Sequence, residues 1–249
     1  MSRQKTFSGL KEISTWLSGE CRALKFNPPV EAVYSPLEYA VRPHELYLKL
    51  AGASPKKVIF LGMNPGPWGM TQTGVPFGEI PAVQDWLEIK AAVDKPAQEH
   101  PKRPIEGFAC RRSEVSGRRL WGLFKERFGT PAVFFQDHYV ANYCPLVFMN
   151  INGKNLTPDS LPKKEALPLF ALCDKALADT IELLQPQWLI GIGGFAKKKI
   201  DQVQKQFFSE SKHQFSTAQI LHPSPANPRA NAGWETEVVK TLTDLGIWN

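Results

Sequence analysis

The chain contains no C-x-x-C pair. Its four cysteines, Cys21, Cys110, Cys144 and Cys173, are scattered through 249 residues. That spacing argues against a zinc ribbon or a cysteine-ligated iron–sulfur cluster. A disulfide framework is equally unexpected in a chain of this size. No apolar run approaches the ~20 residues needed to span a bilayer, and the segment Met1–Phe7 lacks the apolar core of a secretory signal. The expectation is an intracellular protein with no membrane partner. Internal repeats, low-complexity tracts and long linkers are also missing, so the chain reads as one domain over residues 1–249, its first 55 residues forming a helical region packed on the rest.

Acidic residues are outnumbered, which gives a net charge of +6. The basic residues fall in small clusters: Lys56-Lys57, Lys102-Arg103, Arg111-Arg112, Arg118-Arg119, Lys163-Lys164 and Lys197-Lys198-Lys199. A solvated surface accounts for any one of them. Together they tilt the reading towards a polyanionic partner.

After two N-terminal helices, predicted over residues 9–24 and 37–50, strand-like and helix-like segments alternate. Strands are predicted at 57–61, 132–135, 139–143, 188–192 and 217–221, the second and third being candidates for one interrupted strand. Helices are predicted at 81–92, 113–128 (with Ser113 as a candidate cap), 163–184, 195–208 and 229–245. Such alternation implies an α/β fold, a three-layer sandwich whose mostly parallel central sheet is flanked by helices. In such sheets ligands bind beyond the carboxyl ends of the strands. Three loops of unusual composition follow strands here: Gly62–Pro81, Asn142-Tyr143-Cys144-Pro145 and His222-Pro223-Ser224-Pro225-Ala226-Asn227-Pro228. Asn64 and His222, distant in sequence, are thereby expected on one edge of the sheet. In Gly62-Met63-Asn64-Pro65-Gly66-Pro67-Trp68-Gly69, prolines fix φ and glycines remove side chains around a single amide.

Two ordered motifs carry a resemblance. Gly62–Met70 continues into Thr73-Gly74-Val75-Pro76-Phe77-Gly78-Glu79, and His222-Pro223-Ser224-Pro225 is followed by Asn227-Pro228 and Asn231-Ala232-Gly233-Trp234. Between them lie Glu99–Pro104, Ser113-Glu114-Val115-Ser116-Gly117 and Asn155-Leu156-Thr157-Pro158. Over residues 30 to 247 this set resembles the single-strand-selective monofunctional family of the uracil-DNA glycosylase superfamily.

That resemblance implies a glycosylase of base excision repair, without metal or organic cofactor. It would act as a monomer on uracil, and on 5-substituted uracils such as 5-hydroxymethyluracil, in single- and double-stranded DNA. Its setting would be the nucleoid in a bacterium or the nucleus in a eukaryote. Asn142 is implied as the pyrimidine reader: its amide can accept from uracil N3–H while donating to O4, and cytosine presents the opposite pattern. Phe77 would stack on the base. His222 would donate to the uracil O2 as charge develops there, by the logic of an oxyanion hole. Asn64 would hold the attacking water, and an amide cannot take up a proton as a carboxylate does. A dissociative course follows, in which the bond largely breaks before water traps the sugar cation.

Met63 and Gly66 would line the pocket, Gly66 standing where other branches carry a tyrosine against 5-substituents. Pro223, Ser224, Pro225, Ala226, Asn227 and Arg229 would form the wedge that enters DNA. Relatives carry arginine where this chain has Ala226, and alanine fills the vacated space poorly. Lys197-Lys198-Lys199, at a helix start, is equally a candidate phosphate contact or an exposed helical face. No lysine stands out as a Schiff-base nucleophile.

Three other readings compete. One is a superfamily member tuned to xanthine or hypoxanthine, against which the Asn142 amide discriminates. Another is a silent module that binds single-stranded or damaged DNA, which need not keep both Asn64 and His222. The last is a nucleotide-binding domain built on Gly191-Ile192-Gly193-Gly194, a run that lacks the full dinucleotide fingerprint.

Overall fold

The computed structural model describes residues 1–249. In chain order its elements are α1 (Arg3–Cys21), β1 (Ala32–Tyr34), α2 (Pro36–Tyr39), α3 (Val41–Leu50), β2 (Val58–Gly62) and α4 (Met70–Thr73). There follow α5 (Val115–Phe128), α6 (Pro131–Asp137), β3 (His138–Asn142), β4 (Val147–Met149), β5 (Asn155–Leu156) and α7 (Lys163–Leu184). The chain closes with β6 (Trp188–Ile192), α8 (Gly194–Phe207), β7 (Ser216–Ile220) and α9 (Pro228–Asp244).

The central sheet runs β3-β2-β6-β7 and is parallel throughout. β2 is buried at every position, which is why it reads as an unbroken apolar run. Alternate residues of a strand face opposite layers. Phe60 of β2 packs on Phe124 of α5 with ring centroids 5.1 Å apart. Its neighbour Leu61 lines a cavity of about 80 Å³ with Leu10 and Leu17 of α1 and Leu177 of α7. Helices thus cover the sheet on both sides, and α1 lies along α7.

Several local expectations are corrected. Residues 132–135 form no strand; they belong to α6, because Thr130 caps the helix by accepting from the Val133 N–H and Pro131 occupies its first turn. An apolar run of that length is ambiguous between strand and buried helix. The predicted helix over 81–92 shrinks to a π-helical turn at Ala82–Trp86, and Glu88, at φ +57°, ends it. Helix α5 is entered through Glu114, not Ser113, whose hydroxyl donates to Glu79 Oε1 at 2.9 Å. The segment read as one helix over 37–50 breaks at Ala40. A second, antiparallel sheet of order β1-β4-β5 was absent from the reading; strands of two or three residues carry too little alternation to be seen.

Strand register sets up the site. Gly62 pairs with Asn142 and Ile192 with Ile220. The loops that follow β2, β3, β6 and β7 therefore leave the sheet along one edge.

Candidate active site

The loop after β2 is pinned from two sides. Beyond the last strand pair, Tyr143 N–H donates to Gly62 O and Cys144 N–H to Met63 O, at 2.9 and 2.8 Å. The Thr71 hydroxyl of α4 donates to Gly66 O at 2.6 Å, and Gln72 Nε2 to Pro67 O at 3.3 Å. Within this frame Asn64 Nδ2 donates to Leu146 O at 3.2 Å. The bond fixes the amide's orientation and leaves Oδ1 as an acceptor.

Asn142 ends β3 and points its amide over Gly62. A Cβ on Gly62 would lie 2.5 Å from both Asn142 Oδ1 and the Phe77 ring, so only glycine lets these two side chains converge. Asn142 Nδ2 donates to Met70 Sδ at 3.3 Å, a weak acceptor. Its Oδ1 is buried and accepts nothing, an arrangement that costs stability unless something else compensates. Phe77 itself sits at φ +54°, a conformation that non-glycine residues rarely adopt. Gly117 of α5 explains how it is held. A Cβ there would collide with the Phe77 carbonyl, and Trp121 Nε1 donates to Pro76 O at 3.1 Å.

His222 follows β7, its ring centroid 6.2 Å from that of Phe77. Ser224 N–H donates to His222 Nδ1 at 3.1 Å. The proton therefore sits on Nε2, and burial pushes the imidazole pKa below its usual 6.5, favouring the neutral form. Gly193, at φ +88°, lies against this ring; a Cβ would stand 3.2 Å from that of His222. A Cβ on Gly191 would meet the Lys197 backbone N at 2.5 Å. The glycine-rich run thus admits the first turn of α8 and makes room for His222.

The model of the uracil DNA glycosylase superfamily matches residues 51–245. The single-strand selective monofunctional uracil-DNA glycosylase of Rattus norvegicus is 44% identical over 96% of this chain and 84% of its own length. The Bos taurus protein of the same name is 44% identical over 93% of this chain and 84% of its own. The chain belongs to this glycosylase family. The crystal structure of Pedobacter heparinus SMUG2 shares the fold at a TM-score of 0.63 and 15% identity, over 94% of this chain and 97% of that one.

In this member of the glycosylase family the segment after His222 is braced internally. Arg119 of α5 donates from Nη1 to Pro223 O at 3.0 Å and from Nη2 to Asn231 Oδ1 at 2.9 Å. Asn231 Nδ2 in turn donates to Pro225 O at 2.9 Å. Ala226 N–H bonds Ser224 Oγ, and Asn227 caps α9. Pro225, Ala226, Pro228 and Arg229 are exposed, whereas Pro223 is buried. Arg229 is not a free cation, since it pairs with Glu237 at 2.6 Å. The lysine run on α8 also fails to form a patch. Lys197 pairs with Asp201 at 2.6 Å, and Lys199 is buried with Nζ 3.8 Å from the Phe170 ring centroid.

At Gly66 the expected open space is filled. A Cβ on Gly66 or on Gly69 would run into the carboxyl of Glu114. Within Ser113–Gly117 the sequence offered only a helix cap; the structure uses Glu114 and Gly117, with Arg119 one turn on, to brace three different site loops. Sequence reasoning also missed Trp68, against which the guanidiniums of Arg103 and Arg112 stack at 4.8 and 4.6 Å from the ring centroid. Neither arginine has an acidic partner. Their doublets were visible as basic clusters, but their meeting on one ring was not.

Proposed function

We propose that the protein is a monofunctional DNA glycosylase that hydrolyses the N-glycosidic bond of uracil in DNA and leaves an abasic site. The observation that carries this reading is the buried Asn142 Oδ1, which has no partner beside the Phe77 ring. A uracil stacked on Phe77 would offer N3–H to that oxygen, while its O4 would replace Met70 sulfur as the better acceptor for Nδ2. The base must leave the helical stack to reach this site. As the bond breaks, negative charge grows on the uracil ring, and the neutral His222 Nε2–H is available to O2. A donor already oriented by the protein needs no reorganisation at that moment. Asn64, its Nδ2 held by Leu146 O, would use Oδ1 to orient water towards the sugar cation. The residue at this position is an amide and not a carboxylate that could take up a proton, which supports bond breaking ahead of water attack.

The finer substrate range belongs to the same proposal. With Glu114 filling the space beside Gly66, 5-hydroxymethyluracil is included on the family resemblance, since no tyrosine stands at that position. Single- and double-stranded DNA are both substrates of a monomer. The unpaired Arg103 and Arg112 on Trp68 would meet a strand's phosphates, and the loop tip at Pro225-Ala226 would enter the space left by the base. Alanine at that tip fills the space poorly, so duplex substrates are turned over more slowly than single strands.

The test uses labelled oligonucleotides with one uracil or one 5-hydroxymethyluracil, single-stranded or opposite adenine or guanine, in EDTA. The expected result is strand breakage only after alkali, from every substrate, and fastest from single strands. Abasic product from hypoxanthine or xanthine but not from uracil would overturn the reading.

A further inference from the structure

We infer that Glu114 is a positioning residue for base excision: its carboxyl, uncharged, braces the Gly66–Gly69 stretch of the loop that carries Asn64, and its ionisation releases that loop. The inference rests on the glycosylase reading above.

Three observations support it. The carboxyl is packed so closely on the backbone that neither Gly66 nor Gly69 could carry a Cβ. Its Oε2 is buried and makes no hydrogen bond, a costly state for a carboxylate and a much milder one for a neutral acid. No lysine or arginine forms an ion pair with it either, Arg118 on the next helical turn included. The stretch Gly62–Thr73, against which it packs, contains no titratable residue. From the other side the ionisable neighbour is Glu79, itself held by the Ser113 hydroxyl and the Ala82 N–H. Arg112, two residues earlier, has its guanidinium on Trp68.

Burial and the Glu79 carboxylate together push the Glu114 pKa up to about 7, against the pull of the Gly69 N–H. The group is thus poised to lose its proton near neutrality. Once charged, its buried Oε2 gains from reaching water, which draws the carboxyl off the two glycines. The Gly66–Gly69 backbone then loses the group packed on it, and Asn64, two residues before Gly66, is held on that side by its bond to Leu146 O alone. The consequence falls on the chemical step. Uracil is read by Asn142 and Phe77, and Glu114 hydrogen-bonds neither, so substrate affinity stays.

Single-turnover excision of uracil from a single-stranded oligonucleotide, measured from about pH 5.5 to about 9 on the intact protein, tests this. Binding to the same strand carrying a non-cleavable 2′-fluoro-deoxyuridine is measured in parallel. The wild-type rate is expected to fall about tenfold per pH unit above the Glu114 transition, with affinity changing less than about twofold. Glu114→Gln keeps the shape and the uncharged state. It is expected to hold the wild-type rate at about pH 6 and to lose the falling limb. Glu114→Ala, which removes the brace, lowers the rate at every pH.

A wild-type rate that stays flat to about pH 9, or a falling limb unchanged in Glu114→Gln, overturns the inference and leaves the glycosylase reading intact. The wild-type profile decides even if a variant fails to fold. Absence of excision at any pH overturns the glycosylase reading, and this inference with it.

Discussion

The backbone N–H of Ser224 donates to Nδ1 of His222 at 3.1 Å, so a loop that would touch DNA also sets the tautomer of the imidazole beside the base. Protonation of Nδ1 would break that bond. The pKa of His222 lies below 6.5 because burial disfavours the charged ring. For a base with a lowered pKa, the neutral form prevails above the ordinary value and is lost only as pH falls through the depressed one. The contribution of His222 to excision should therefore be complete down to about pH 6.5 and be lost only as pH falls through the lowered pKa. His222→Phe should lower the single-turnover rate by about 10²–10³-fold, the usual loss for one oriented donor, and abolish the acid decline. Rate–pH profiles of both proteins check this.

Arg119 ties the same loop to α5 through Pro223 and Asn231. Arg119→Ala frees the loop, whose ordering must then be met on each encounter with DNA. Duplex uracil excision should fall by about tenfold, equivalent to about 1.4 kcal/mol, with a smaller loss on single strands, which need no wedge. Parallel single-turnover assays on the two substrates read the difference.

Trp68 with its two arginines makes a different kind of contact. A phosphate there adds affinity without sequence information. Arg112→Ala should weaken binding to all strands alike and reduce the slope of log affinity against log salt by about 0.7 on single-stranded DNA. Excision at saturating DNA should not change. Fluorescence-anisotropy titrations at several salt concentrations provide the slope.

Much of this site was legible before the fold was known, and the reason is local. Asn64, Asn142 and His222 each directly follow or end a strand whose apolar run is plain, and parallel strands bring such ends to one edge. α7 and β6 are legible with their boundaries because one pattern is long and the other is apolar throughout and buried after Trp188. What stayed hidden depends on contacts across the chain. Nothing in Ser113–Gly117 says that its glutamate rests on Gly66 and Gly69, 45 or more residues earlier. Lys197-Lys198-Lys199 stayed ambiguous for the same reason: a run of like charges does not tell which members find Asp201 or a phenylalanine ring. Residues 132–135 misled at shorter range, since Val-Phe-Phe suits a strand and a buried helix equally and only the Thr130-Pro131 start decides.

The central claim is that Asn64 serves the chemical step, its amide held for water by Leu146 O. The most direct measurement is single-turnover excision of uracil by wild type and Asn64→Ala, in EDTA with alkali development, beside binding of each to 2′-fluoro-deoxyuridine DNA. The account predicts affinity within about twofold of wild type and a rate lowered by about 10²-fold or more in Asn64→Ala. Undiminished excision by that variant would contradict it.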